Sequence, residues 1–286
     1  MRERTQAIYT ALDALQSNPF VPQSIATFIR AVVTIQQEAT PIIEALPHSH
    51  VTDESFASGT SLYTIQQFSY DKRAAASIFG KLLALLSHDS AHSTVALTIK
   101  TEMEEGRFSL EEAFTAYLHT DARFFERWNA HLKLSSPLLL FLLHSSLAPS
   151  LELFAHTLIK EHSIELWSEQ YCPCCGSDPL IAYWLDSTGK QHNICSFCAT
   201  EYRVARMQCT YCGEKNHEQL RYIATEEVPS VHIQTCATCN SYIKILDRKS
   251  ASSALTPHID DVATLIIDVV AKQQGFLRPV LSAFGF

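Results

Sequence analysis

The chain has 286 residues, of which 47% are hydrophobic and 18% charged, and it carries a net charge of −8. That composition allows several compact units around a buried core and excludes a disordered or fibrous chain. The acidic balance argues against a nucleic-acid or anionic-membrane surface as the main partner.

Met1-Arg2-Glu3-Arg4-Thr5 leads into no apolar stretch, so a secretory signal is not expected and a soluble, cytoplasmic chain is. No run reaches the roughly 18 apolar residues a bilayer span needs, so no membrane insertion is expected. The richest run, residues 138–143, stops at His144, Ser145 and Ser146 and reads as a buried helix segment. Pro22 and Pro137 are placed to open helices. Ile78, Leu82, Leu85 and Leu86 recur at helical spacing as a core stripe. Ser109-Leu110-Glu111-Glu112 is a capping box, opening a helix that carries Phe114, Tyr117, Leu118 and Phe125. Residues 1–170 therefore read as a helical domain of about six helices.

Several side chains there have plain roles. His48 and His50 lie in a polar loop, and His88 and His92, without acidic company, read as surface residues. Phe124, Phe125 and Trp128 read as core. No P-loop, G-x-G-x-x-G, G-x-S-x-G or H-E-x-x-H motif occurs, so no catalytic residue is assigned and the chain reads as not an enzyme.

All nine cysteines lie between Cys172 and Cys239. Eight form C-x-x-C pairs: Cys172/Cys175, Cys195/Cys198, Cys209/Cys212 and Cys236/Cys239. In a reducing compartment this density points to tetrathiolate metal sites rather than disulfides. Cys174 is left over and reads as a surface or packed thiol. Gaps of 19 and 23 residues separate the first two and the last two pairs, and only 10 residues separate the halves. Two knuckles with a β-hairpin between them make a zinc ribbon. Residues 180–185 and 191–194 are strands around a turn at Ser187-Thr188-Gly189-Lys190; residues 220–225 and 231–235 are strands around a turn at 226–230. The halves look duplicated. Sequential pairing gives two ribbons, at 171–207 and 208–250, whereas interleaved pairing gives one cross-braced module; the complete hairpins favour the first. A final helix is expected at 257–272, within a tail of 251–286, with Ile259, Val262, Ile266 and Val270 on one face. The fold class is thus α+β: a helical bundle, two small rubredoxin-like or zinc-ribbon modules, and a C-terminal helix.

The metal is iron or zinc, two ions, because both accept four thiolates in a tetrahedron. Cys172-Pro173-Cys174-Cys175-Gly176 resembles a rubredoxin knuckle, with a glycine letting backbone N–H groups approach sulfur; Cys212-Gly213 repeats it, whereas Cys198-Ala199 and Cys239-Asn240 do not. Between residues 172 and 249 eight basic side chains balance eight acidic ones, and thiolates on a divalent ion add about −2 per site. That makes a poor phosphate-binding surface, so no nucleic-acid partner is expected. Arg203 and Arg206 read as partners of Glu201 or Asp186.

The block Cys172-Pro-Cys-Cys-Gly-Ser-Asp-Pro179, then Cys195-Ser-Phe-Cys-Ala-Thr-Glu-Tyr202, Arg206, Cys209-x-x-Cys212 and Cys236-Ala-Thr-Cys-Asn-Ser-Tyr-Ile-Lys-Ile-Leu246 closely resembles the formate dehydrogenase accessory protein FdhE family. The likeness is dense over 171–247, looser through Asp260-Asp261-Val262-Ala263 and Gln274-Gly275-Phe276, and thin in the helical part, where Asn18-Pro19 matches best. Asn240 stands where the family often has glycine. The resemblance implies a cytoplasmic maturation factor that binds the catalytic subunit of formate dehydrogenase, with rubredoxin-like iron or zinc held by Cys172, Cys175, Cys195 and Cys198 and by Cys209, Cys212, Cys236 and Cys239. A zinc-ribbon nucleic-acid binder and a rubredoxin-like redox protein are the alternatives, and a homodimer is compatible with the sequence.

Overall fold

Helix caps divide the N-terminal half. The computed structural model describes residues 2–43, 46, 49–89, 91–134, 137–185, 190–224, 228–249 and 254–285. Among these, eight helices precede the first strand: α1 (Arg2–Gln16), α2 (Gln23–Gln37), α3 (Asp53–Ala57), α4 (Lys72–Ser87), α5 (Ser93–Glu104), α6 (Leu110–Leu118), α7 (Ala122–Leu132) and α8 (Leu138–Glu161). Side-chain oxygens of Thr52, Asp71, Ser109 and Asp121 accept from the first-turn N–H groups of α3, α4, α6 and α7. Pro22 and Pro137 stand at the N-caps of α2 and α8, as expected. The helix opened at Ser109 ends sooner than its apolar spacing suggests. Thr120 turns into the left-handed region at φ 50° and Asp121 caps a new helix, so Phe125 belongs to α7 rather than α6.

Helix α8 is the axis of the body. Residues 138–160 are long and apolar enough to cross a membrane by length and composition, unlike the shorter run read from the sequence, but 72% of the apolar window is buried inside the protein. Leu139, Leu142, Leu147, Leu151, Phe154 and Leu158 are fully buried against the core stripe Ile78, Leu82 and Leu86 of α4; Leu85 is only half-buried. Phe124 and Trp128 are core, and Phe125 packs at its margin.

The cysteine region forms one sheet. Strands β1 (Pro179–Leu185), β2 (Lys190–Cys195), β3 (Glu201–Val204), β4 (Leu220–Ala224), β5 (Val231–Cys236) and β6 (Ser241–Asp247) lie in the order β3-β2-β1-β6-β5-β4. Every pairing is antiparallel except β1 with β6. Each half is thus a three-stranded meander, and the parallel β1–β6 seam joins the two ribbons into a continuous sheet. Their registers coincide: Pro179 faces Cys195 in the first half as Leu220 faces Cys236 in the second. The expected turn residues Ser187, Thr188, Gly189, Glu226 and Glu227 lie outside the described residues, as do Thr225, Asp186 and His48.

The tail is two helices, α9 (Pro257–Ala263) and α10 (Leu265–Gln273), where the sequence suggested one. Thr264 leaves helical geometry, and its hydroxyl bonds back to the carbonyls of Asp260 and Asp261. The break rotates the buried face: Ile259 and Val262 are buried as expected, but Ile267 and Ala271 replace Ile266 and Val270. Buried charges fasten this tail to the sheet. Lys244, in the middle of β6, is 1% exposed and lies 2.7 Å from both Asp261 and Asp268; Arg278 also reaches Asp261 at 2.7 Å. Tyr183 and Tyr242 donate to Asp260 and Asp268.

Candidate metal centres

Each C-x-x-C pair forms a six-residue loop closed by its own backbone. Cys172, Cys195 and Cys209 donate their N–H groups to the carbonyls of Ser177, Thr200 and Glu214, and Cys236 pairs with Ser241 across β5 and β6. The residue after the second cysteine is left-handed in all four: Gly176 (φ 73°), Ala199 (55°), Gly213 (72°) and Asn240 (53°). The shared turn thus includes the two knuckles that lack glycine. Alanine holds this conformation at a steric cost of about 1–2 kcal/mol, which the loop's bonds and the sulfur cluster overcome.

The knuckles meet in sequence. The sulfurs of Cys172, Cys175, Cys195 and Cys198 all lie within 4.8 Å of one another, and so do those of Cys209, Cys212, Cys236 and Cys239. Individual separations are 3.4 Å for Cys175–Cys195 and 3.7 Å for Cys172–Cys198, Cys209–Cys239 and Cys212–Cys236. A tetrahedron of sulfurs about 2.3 Å from a central ion has edges of roughly 3.8 Å, so both donor sets fit a tetrathiolate ion. Sequential pairing is the arrangement found. The backbone N–H groups of Phe197 and Tyr211 point at Cys195 and Cys209 Sγ from 3.4 Å, favouring thiolate.

Hydroxyls that the sequence reading passed over complete the shell. Ser177 lies 3.3 Å from Cys175, Thr200 3.1 Å from Cys198, and Ser241 2.9 Å from Cys239. The signal was available: a hydroxyl two residues past the second cysteine recurs in three knuckles, with Glu214 in the fourth. Burial pushes the Cys172 and Cys195 thiols well above their ordinary range. Cys175 suffers the same desolvation but is held well below, because Cys172, Cys195, Cys198 and Ser177 all hydrogen-bond to its sulfur. In the second group burial raises Cys209 and Cys212, while Ser241 and Cys212 outweigh burial and lower Cys239.

The surroundings differ sharply. All four sulfurs of the first group are buried and belong to the core of the helical body. Phe197, between Cys195 and Cys198, packs its ring 5.3 Å from Phe68 and 6.3 Å from Tyr117. Leu62 and Tyr63 donate backbone N–H groups to Pro173 and Cys174. Cys174 is fully buried, the packed rather than the surface alternative. In the second group Cys212 and Cys239 are exposed, and among the described residues Leu220 and Tyr211 are the hydrophobic side chains clustered with Cys209 and Cys236.

Glu201 lies 2.9 Å from His192 on the neighbouring strand and Arg206 stacks on the Trp184 ring at 4.9 Å, while Asp186, the other expected partner of Arg203 and Arg206, lies outside the described residues. His92 does have an acidic neighbour, Asp89, with which it makes a close contact across the junction of α4 and α5.

Against the first centre lies a cavity of about 690 Å³, between α1, α2 and α8, the Cys198-Ala199-Thr200 loop and the start of α9. Its polar wall is built on Glu152, which Arg4 approaches at 2.6 Å and His258 at 3.6 Å. Although burial opposes the charge, His258 and Arg4 hold Glu152 at about 2. His144, on the same wall, is pushed down to about 4 by burial and by His258, and its Nδ1 shares a hydrogen bond of 2.7 Å with the Tyr117 hydroxyl.

Fold and site together define an α+β protein in which a helical body carries a duplicated, twin tetracysteine sheet. The family model described as FdhE, C-terminal domain, matches residues 207–284. A Protein FdhE homolog of Aquifex aeolicus (strain VF5) is 36% identical over 156 residues, 54% of this chain and 54% of that relative. A Protein FdhE homolog of Haemophilus ducreyi is 32% identical over 134 residues, 46% of this chain and 43% of that relative. The matched segments thus span about half the length of these curated relatives or less. The crystal structure of the FdhE protein from Pseudomonas aeruginosa has the same fold, with a TM-score of 0.64 at 20% identity over 99% of this chain and 96% of that one. The chain is thus similar to FdhE proteins over part of its length and shares the fold of one of them over nearly all of it.

Proposed function

We propose that this chain is a cytoplasmic, non-enzymatic accessory protein that binds the catalytic subunit of a formate dehydrogenase and supports its assembly or activation. Two ions, iron or zinc, order its twin ribbons. The observation that carries this reading is the similarity to FdhE proteins, whose C-terminal domain model matches residues 207–284, the second tetracysteine half and the tail. The cavity beside the first centre supports it: its walls mix apolar side chains with polar and charged ones from several elements, which suits a segment of a client chain. The ions tie the knuckle loops together at the end of the sheet, so they shape the docking face rather than act on a substrate.

The test is anaerobic affinity purification of the tagged chain from its native cytoplasm, with mass spectrometry of what co-elutes. A formate dehydrogenase catalytic subunit is expected. Gln37→Trp and His156→Glu, at the cavity wall, should each reduce its recovery about tenfold, as loss of a binding hot spot does. Ribosomal or transcription proteins in its place would overturn the reading, and so would a chain that elutes alone.

A further inference from the structure

The two centres share a donor set but not a degree of enclosure. To open the first, Phe197 must leave Phe68 and Tyr117, the bonds from Leu62 and Tyr63 must break, and four buried sulfurs must meet solvent. To open the second, the helical body need not move, since its ties include the Tyr211 hydroxyl on the Pro179 carbonyl and the Ala237 N–H on the Gln219 carbonyl, both within the sheet region. Residues 237–240 are exposed, β4 is the sheet's edge strand, and Cys212 and Cys239 already reach water. Its shell also has one hydroxyl fewer. Where Cys175, Cys198 and Cys239 each have a hydroxyl two residues on, Cys212 has Glu214, whose carboxylate is engaged by the Thr238 hydroxyl at 2.8 Å and the Asn216 N–H at 2.8 Å. Cys212 is therefore an exposed cysteine with no hydroxyl two residues on to support its sulfur.

We propose that the second centre is an exchange site. Soft donors, meaning thiols and nitrogen chelators, enter along the Cys212–Cys239 edge, and the ion is released and reloaded there while the fold stands. The first centre stays locked until the helical body opens. This rests on the reading of both cysteine groups as metal sites. Exchange needs no oxidant. An incoming thiol gives up its proton as its sulfur takes a place in the donor set, and the displaced Cys212 or Cys239 sulfur keeps that proton as a neutral thiol.

The experiment follows release from the full, zinc-loaded chain to the chelating dye 4-(2-pyridylazo)resorcinol under anaerobic conditions, with far-UV circular dichroism recorded in parallel. Two phases of equal amplitude are expected. They should differ by on the order of 100-fold in rate, because release from the buried centre awaits a larger opening. Helical ellipticity should hold through the fast phase. Cys212→Ser should load one ion fewer and keep only the slow phase, whereas Cys175→Ser should remove the slow one. Should Cys175→Ser not fold, alkylation of the wild-type chain with iodoacetamide supplies the second readout: Cys212 and Cys239 should be modified first. A single rate for both ions, or first-centre cysteines alkylated as fast as those two, would overturn the proposal. A chain that binds no metal would instead overturn the metal reading beneath it.

Discussion

Phe197→Ala tests whether the first centre and the helical body unfold as one unit. Phe197 is 7% exposed and sits within the second knuckle, yet its ring packs against Phe68, which itself lies 4.5 Å from Phe154 on α8. Truncating a buried phenylalanine costs about 3–5 kcal/mol when the site cannot collapse, and a rigid knuckle on one side leaves little room to collapse. Against a total stability of about 5–15 kcal/mol this is a large fraction. The assay is urea unfolding read two ways: ellipticity for the helices, and dye-detected release for the ions. Both the helical transition and release of the tightly held ion should move to lower urea together, with an unchanged denaturant slope. The more accessible ion should leave at its usual concentration. A loss of stability below about 1 kcal/mol would refute the shared-core argument. So would helices that melt early while the first ion stays bound.

Other perturbations probe other joints. Ala199→Gly relieves a left-handed alanine at φ 55° but adds backbone entropy to the unfolded chain; a net gain of about 0.5–1 kcal/mol in denaturant unfolding is expected. Lys244→Ala leaves Asp261 buried without its ammonium partner and should cost about 3–5 kcal/mol, read as a lower thermal midpoint; no loss would mean that Arg278 alone neutralises the pocket. His144 has a folded-state pKa of about 4, below its ordinary 6.5, so the unfolded chain takes up the proton first. Its contribution is complete above pH 6.5 and drains away as pH falls toward 4, on the order of 3 kcal/mol in all. His144→Gln should flatten the stability curve across that window, and an unchanged slope there would move the acid sensitivity elsewhere.

What the sequence revealed, and what it hid, follows from how local each cause is. Ligand chemistry acts within a few residues, so the four C-x-x-C pairs, their sequential grouping and the hairpins between them could be read directly. The third strand of each half could not. Residues 201–204 alternate but are only four long, and residues 241–247 carry Lys244 at their centre, where a buried strand should hold no charge. Its partners Asp261, Asp268 and Arg278 come from a tail that packs over it only in the folded chain. Thr264 likewise reads as one more helical residue until its hydroxyl is seen bonding backwards. The fusion of the ribbons did leave a trace: Leu180, Ile181, Ala182, Tyr183 and Trp184 are all buried, so β1 is apolar on both faces, as a central strand is. The β1–β6 seam then explains why one device has two settings. It places the first half beside the helices, where Phe197 can enter their core, and carries the second half out to the free edge at β4. Duplication supplied equal ligands, and the position of each copy relative to the helical body decides which one is sealed and which one faces water.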